Sequence, residues 1–462
     1  MLKIGDKKLI NAWAFYDWAN SVYSLVISTA VFPIYYSSMT ESFQNLEGDI
    51  IFLGTHWDPT TLYDYTLAVS FLIVAFLSPI LSGIADYKGN KLGFLKGFCL
   101  LGSLSVMSLF FFSGESTLWV AIVFTILASI GFWGSIVFYN AYLPEVAHPE
   151  DQDRVSAKGF INGYIGSIIL LLINLSMILY PEIFGFDTSI DESILQNGSE
   201  IEIEEAMKKA KGIASLEAMK ISFIMVGLWW FGFAQIAYRR LPNHKKKSSS
   251  KESIIWKGFD ELKKVLVELK SQPSLKTFLI SFFLFSVGVQ TIILMAGIFG
   301  SKELELETTS LILAILLVQF VAIAGAAIFS RISKKYGNFT ALKTTIIIWG
   351  LVCFIAFLLD KQQENIDMYY YGLAGVIGLV LGAIQSLSRS TYSKMLPDTE
   401  DHATYFSFYD VTEKVAIVIG MFTFGLLNAI TESMQYSVLC LAVFFLASFI
   451  VLSFVRGTKY VK

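Results

Sequence analysis

A few ionisable and amide residues stand inside segments that are otherwise apolar. In hydrocarbon such groups are costly, so they face a cavity, a partner or one another. The first apolar segment carries Asp17, Asn20, Ser21, Ser24 and Ser28 on one face of a helix turning 100° per residue. Two chemistries suit Asp17, which lies about a turn from one end: latching neighbouring helices, or holding a proton, a cation or a solute amine. The tenth segment carries Gly375, Gly378 and Gly382, then Gln385 and Arg389 one helical turn apart. The glycines allow close helix approach. The planar fork of Arg389 suits a carboxylate, whether a solute's or that of Asp17, and its length also lets it reach lipid phosphates. The eleventh segment opens with Tyr409, Asp410, Glu413 and Lys414. Asp410 and Lys414 are i,i+4 partners, as are Tyr409 and Glu413. An ion-pair gate and direct coupling through Glu413 are both open. Amides at Asn140, Asn162, Gln290 and Gln319 suggest a cavity for a polar or zwitterionic solute, with Tyr16, Asn20, Tyr23, Ser24, Tyr139 and Gln385 as candidates for the same wall.

The elements that must position these residues follow from composition. Of 462 residues 55% are hydrophobic and only 16% charged, with 39 phenylalanines, too few charges for a surface facing water. A membrane helix needs ~20 largely apolar residues. Such blocks fall at 13–36, 61–85, 94–112, 117–140, 157–180, 218–238, 275–299, 308–331, 341–359, 369–390, 408–430 and 434–456, so twelve spans are expected. No small-residue cleavage site follows the first block, which is expected to be retained. Lys and Arg crowd both termini and the connections after even-numbered spans, including Lys3, Lys88, Lys91, Arg154, Lys158, Arg331, Lys334, Lys459 and Lys462. By the positive-inside rule both termini are expected to be cytoplasmic.

Two long connections interrupt the array. The outer one, 181–217, is acidic, with a short helix expected around Glu200–Lys211. The inner one, 239–274, begins with Lys245-Lys246-Lys247 and three serines. It continues with Ile255, Phe259, Leu262, Leu266 and Leu269 at helical spacing, interleaved with Lys257, Lys263, Lys264 and Lys270. That pattern predicts an amphipathic helix lying on the leaflet. It divides the chain into six spans (1–238), a linker (239–274) and six spans (275–462). The halves repeat faintly: Tyr139-Asn140-Ala141-Tyr142-Leu143-Pro144-Glu145 matches Tyr392-Ser393-Lys394-Met395-Leu396-Pro397-Asp398. The Gly89-Asn90 loop matches Gly337-Asn338, with Lys334 where the first loop has Asp86.

Gly83 and Ala85-Asp86-Tyr87-Lys88-Gly89-Asn90-Lys91 resemble the loop signature of the major facilitator superfamily, with Gly83 one position late. The resemblance implies twelve helices in two six-helix bundles, an all-α membrane fold, with Asp86 and Lys88 in a latch between helices. A carboxylate near helix N-termini is favoured by their dipoles. In that fold the spans carrying Asn140, Asn162, Gln290 and Gln319 line the central cavity. Trp13-Ala14-Phe15-Tyr16-Asp17-Trp18-Ala19-Asn20-Ser21-Val22-Tyr23 and Gln385-Ser386-Leu387-Ser388-Arg389-Ser390 resemble the vacuole-effluxer branch, whose fungal members export amino acids.

Other classes lack their signatures. No phosphate-binding glycine loop suggests an ATP motor. Cys99, Cys353 and Cys440 lie far apart in apolar blocks, and His56, His148, His244 and His402 scatter through loops, so neither a metal site nor a cofactor is indicated. A net charge of −3 gives no reason to expect nucleic acid. The expectation is a non-enzymatic, monomeric secondary transporter of a bacterial inner membrane. It would bind a small solute, an amino acid first, and protons as coupling ion. Sugars, nucleosides or drugs remain as cargo, and a non-transporting receptor is the reading from another class.

Overall fold

The computed structural model describes residues 3–243, 254–457 and 461. Among them, twelve helices are long and apolar enough to cross a membrane: α1 (Lys7–Glu41), α2 (Pro59–Lys88), α3 (Lys91–Phe111), α4 (Glu115–Asn140), α5 (Pro149–Leu179), α6 (Glu200–Tyr238), α7 (Pro273–Glu303), α8 (Thr309–Tyr336), α9 (Asn338–Phe357), α10 (Ile366–Met395), α11 (His402–Thr431) and α12 (Met434–Ser453). Helices satisfy their own backbone groups, which is why apolar blocks of this length fold as helices in lipid. Their ends are set by local chemistry. Asp6 accepts from the Lys8 amide at 2.7 Å to open α1, and Asp58 caps α2 through the Thr61 amide at 2.8 Å. Gly89, at φ +61°, closes α2 in the left-handed conformation that glycine adopts without Cβ strain.

The helices pack as two bundles of six. In the first, α1 lies against α5 and α6, and α3 against α4 and α6; in the second, α8 lies against α10, α9 against α12, and α7 against α11 and α12. Large apolar side chains such as Phe76, Phe422, Val443 and Leu446 point outward, the belt expected of a lipid-facing surface. The bundles meet where α5 crosses α8 and α10, and where α2 and α4 meet α11.

Three features depart from the sequence reading. The acidic outer helix and the sixth span are one 39-residue helix, opened by a Ser199–Glu202 capping box. At 1.5 Å per residue it is about 58 Å long, so its first turns stand clear of a ~30 Å hydrocarbon core. The fifth and eleventh spans begin several residues before their apolar blocks, at Pro149 and His402, because charged residues at their starts are paired. His402 therefore opens a helix rather than sitting in a loop. Helix α1 is wound as a π-helix from Tyr23 to Val31, just ahead of Pro33, whose ring nitrogen has no hydrogen to donate; α7 ends in a second π turn, Phe299–Glu303.

The linker forms the expected amphipathic helix, Ile254–Ser271. It packs against α2, where a Cβ at Gly83 would strike the backbone of Gly258. Lys264 reaches Asp401 at 2.6 Å, and the Tyr405 hydroxyl donates to Glu268 at 2.8 Å. It is thus tied to both bundles rather than only laid on lipid. The Lys245–Lys247 run and the serines after it lie outside the described residues.

Candidate functional site

Where the bundles meet, at the end carrying the linker, the polar residues of the apolar segments come together. The guanidinium of Arg389 (α10) is 3% exposed and donates to Asp17 of α1 from both terminal nitrogens, each at 3.3 Å. It also donates to Asn140 Oδ1 of α4 at 3.2 Å, and to the Ser156 hydroxyl and carbonyl of α5 at 2.9 and 2.8 Å. Phe160, Trp13 and Tyr139 surround its plane, with ring centroids at 4.1, 5.0 and 5.3 Å. Asp17 receives a further bond from the Tyr139 hydroxyl at 2.7 Å, and Trp13 Nε1 donates to the Tyr139 carbonyl at 3.0 Å. Every group that Arg389 bonds here belongs to the other bundle. Space for the pair comes from Gly159: a Cβ there would land among Asp17 Oδ2, the Tyr139 hydroxyl and Arg389 Nη2.

Further bonds extend this seam. Ser156 Oγ donates to the Ser386 carbonyl at 2.8 Å, and Tyr164 OH to Gln385 Oε1 at 2.8 Å. Toward the rim, Lys394 of α10 pairs with Asp153 of α5 at 2.7 Å; Asp153 also accepts from Ser333 at 2.7 Å and Asn338 at 2.8 Å. On the opposite flank Asp86 accepts from the Thr404 amide at 2.7 Å, the Thr404 hydroxyl at 2.8 Å and the Ala403 amide at 3.3 Å, and so caps α11 from α2. Beside it Glu145 takes bonds from Lys91 and from His402 Nδ1. Burial pushes the Glu145 carboxyl up, but His402 and Lys91 together hold it below the usual carboxylate range. The two flanks are related by the repeat with polarity exchanged. The first loop offers a carboxylate, Asp86, to α11; the second offers Ser333 and Asn338 to a carboxylate, Asp153, on α5. Lys88 stays half-buried at the end of α2 and forms no ion pair among the described residues.

Farther from the rim lies a second charged group. Lys414 Nζ is 3.1 Å from Asp410 and 3.2 Å from Glu413, and 3.5 Å from the ring centroid of Trp133 in the other bundle. Gln290 Nε2 donates to Glu413 Oε1 at 2.8 Å. Glu413 is thus engaged by Gln290 and Lys414, not by Tyr409 as its spacing suggested; the Tyr409 ring instead stacks on Phe282 at 4.0 Å.

The cavity candidates divide. Ser24 is exposed and Gln319 half-buried, whereas Tyr16 and Tyr23 turn into the first bundle, Tyr16 against Tyr139 and Tyr238, and Tyr23 against Phe132 and Trp230. Tyrosine rings on a helix back pack more favourably against aromatic neighbours than in water. Asn20 is fully buried with neither amide atom bonded among the described residues, and Asn162 ties α5 to the Ala14 carbonyl of α1 at 3.2 Å. Asp153, Ser156, Gly159, Phe160 and Trp133 had no place in the sequence reading, and Lys394 entered it only as part of the repeat. What distinguishes Asp153 and Lys394 is their opposition across the seam.

Two pseudo-equivalent six-helix bundles enclosing a polar seam define a major facilitator-type membrane transporter, and solved structures agree on the fold. The fucose transporter FucP in its outward conformation superposes with a TM-score of 0.65 at 12% identity, covering 98% of each chain. A bacterial homologue of ferroportin superposes at 0.61 and 14% identity, covering 96% of this chain and 98% of that one. The family model described as vacuole effluxer Atg22 like matches residues 5–461, and the chain belongs to that family. The MFS-type transporter YxiO of Bacillus subtilis is 31% identical over 96% of this chain and 94% of its own length. Autophagy-related protein 22 of Pichia angusta is 23% identical over 86% and 75% respectively.

Proposed function

We propose that this transporter carries small solutes of the amino-acid class by alternating access, with the Asp17–Arg389 seam as its cytoplasmic gate. The observation that carries the reading is the buried ion pair itself. A desolvated pair has value only while its partners meet, so it favours one arrangement of the bundles and releases both charges to water when they part. The basic character of the linker and of the loops on the same side supports placing both termini in the cytoplasm, and a bacterial relative supports the cytoplasmic membrane. Residues 1–238 and 275–462 are then the two rocking bodies, with residues 239–274 as a tether and the monomer as working unit. The amino-acid class rests on family membership and on the amide and hydroxyl groups in the helices between the bundles. Protons are the coupling ion we favour, with Asp17 as a gate residue that can exchange one when the seam opens.

Counterflow of labelled amino acids in proteoliposomes tests the cargo, with sugars and nucleosides alongside. Exchange of an amino acid is the expected result; exchange of only a sugar or nucleoside would reassign it. Asp17→Asn that retains pH-driven uptake at the wild-type rate would remove Asp17 from coupling and leave it in the gate alone.

A further inference from the structure

The buried charges of the seam are mostly balanced one against one: Asp17 with Arg389, Asp153 with Lys394. The Asp410–Glu413–Lys414 group is different, with two carboxylates for one ammonium. Lys414 is 1% exposed, and Asp410 is 3% exposed with its Oδ2 lacking any hydrogen-bond partner among the described residues. Its other oxygen already binds Lys414, so the bare oxygen belongs to the same charged group. The second carboxylate is tethered by the neutral Gln290, which adds no charge. A buried unpaired carboxylate oxygen is expensive. A net negative site away from bulk water therefore draws a cation.

The surroundings select the kind of cation. Lys414 already shows how an ammonium sits here, over the Trp133 face at 3.5 Å and against both carboxylates. An aromatic face favours an alkylammonium over a hard metal ion, which would need a fuller oxygen shell. Among the described residues no set of three or more His, Cys, Asp or Glu side chains is arranged to hold a metal. The group also lies between the bundles: Trp133 comes from α4, Gln290 from α7, and the charges from α11. Lys414 is twelve residues into α11, about 18 Å along its axis at 1.5 Å per residue. Glu413 and Gln290 are both part-exposed.

We propose that Asp410 and Glu413 form the subsite for the solute's ammonium group, with Lys414 as the resident counter-cation the solute joins or displaces. This rests on the amino-acid reading above and names the residues that would recognise the amine. Lys414, once shifted from Asp410, becomes a partner for the solute's carboxylate.

The test is carbodiimide modification of the purified full-length protein, with adducts on Asp410 and Glu413 quantified by peptide mass spectrometry. Three probes of one carbon skeleton are compared at equal concentration: leucinamide (a cation), leucine (a zwitterion) and 4-methylpentanoate (an anion). Asp410→Asn provides the adduct-free control at position 410, and adducts on the exposed Glu200 measure non-specific protection. We expect leucinamide and leucine to lower Asp410 and Glu413 labelling at least severalfold, leaving Glu200 unchanged, with no protection by 4-methylpentanoate. Protection by leucinamide but not leucine would keep the ammonium subsite and remove amino acids as cargo. Equal protection by all three, protection by 4-methylpentanoate alone, no protection by any, or no adduct on either residue would overturn the subsite, whatever the counterflow assay shows.

Discussion

Replacing Arg389 with glutamine removes the charge from a site where Asp17, Asn140 and Ser156 of the opposite bundle all depend on it. Taking one partner from a buried pair costs ~3–5 kcal/mol, because the other charge is left unpaired away from water. On the gate proposed above, the loss falls on the closed seam alone, since with the bundles apart Asp17 and residue 389 would be hydrated in wild type and variant alike. Glutamine can still bond Ser156, so the lower end applies, and about 3 kcal/mol corresponds to roughly a hundredfold shift at 1.4 kcal/mol per decade. The reporter is Ser386→Cys, a position 1% exposed whose carbonyl accepts from Ser156 across the seam. It is placed in a chain with Cys99, Cys353 and Cys440 replaced by serine. Labelling by a charged maleimide from the linker side should accelerate about a hundredfold with Arg389→Gln. Asp17→Asn should accelerate it less, because Arg389 keeps Asn140 and Ser156. The double variant should label no faster than Arg389→Gln, since the two residues share one interaction. Rates within twofold of the parent, or fully additive effects, would refute the seam as an energetic gate.

Gly159→Ala keeps every charge yet places a methyl among Asp17, Tyr139 and Arg389, so it should open the same reporter and depress exchange in proteoliposomes. Lys394→Ala leaves Asp153 with only Ser333 and Asn338, and thermal unfolding of the purified protein should show a loss of ~3 kcal/mol that Asp153→Asn/Lys394→Ala partly restores. Glu145 is depressed in the folded protein, so its stabilisation is complete above the ordinary glutamate value of 4.5 and is lost as pH falls through the depressed value. Melting temperatures between pH 5 and about pH 3 should therefore fall more steeply for wild type than for Glu145→Gln. Gly258→Val should lift the linker helix from α2, read as faster proteolysis between Ile254 and Ser271 with the transmembrane bundles intact.

Several of these positions were open to reading from the chain alone. Each span carries its own apolar length, and lipid imposes helix on such a block whatever its neighbours are, so twelve spans and an amphipathic linker helix followed from local composition. Of the two i,i+4 pairs in the eleventh helix, Asp410–Lys414 was legible from its four-residue interval, whereas Tyr409–Glu413 was not, because Gln290 of another helix and Phe282 took those two side chains. Asp17 and Arg389 could be suspected singly, as charges too costly to leave in hydrocarbon. Their meeting is separated by 372 residues and depends on how two bundles lean together. The same holds for Asp153 and Lys394, for the space left by Gly159, and for Trp133 over Lys414. The turn of Tyr16 and Tyr23 into the first bundle was likewise decided by packing, since an aromatic ring on a helix tells nothing of which neighbour will cover it. Local physics thus determined what crosses the membrane and what each helix holds. Long-range packing decided which charges face each other, because a desolvated charge is stable only where another element delivers its partner.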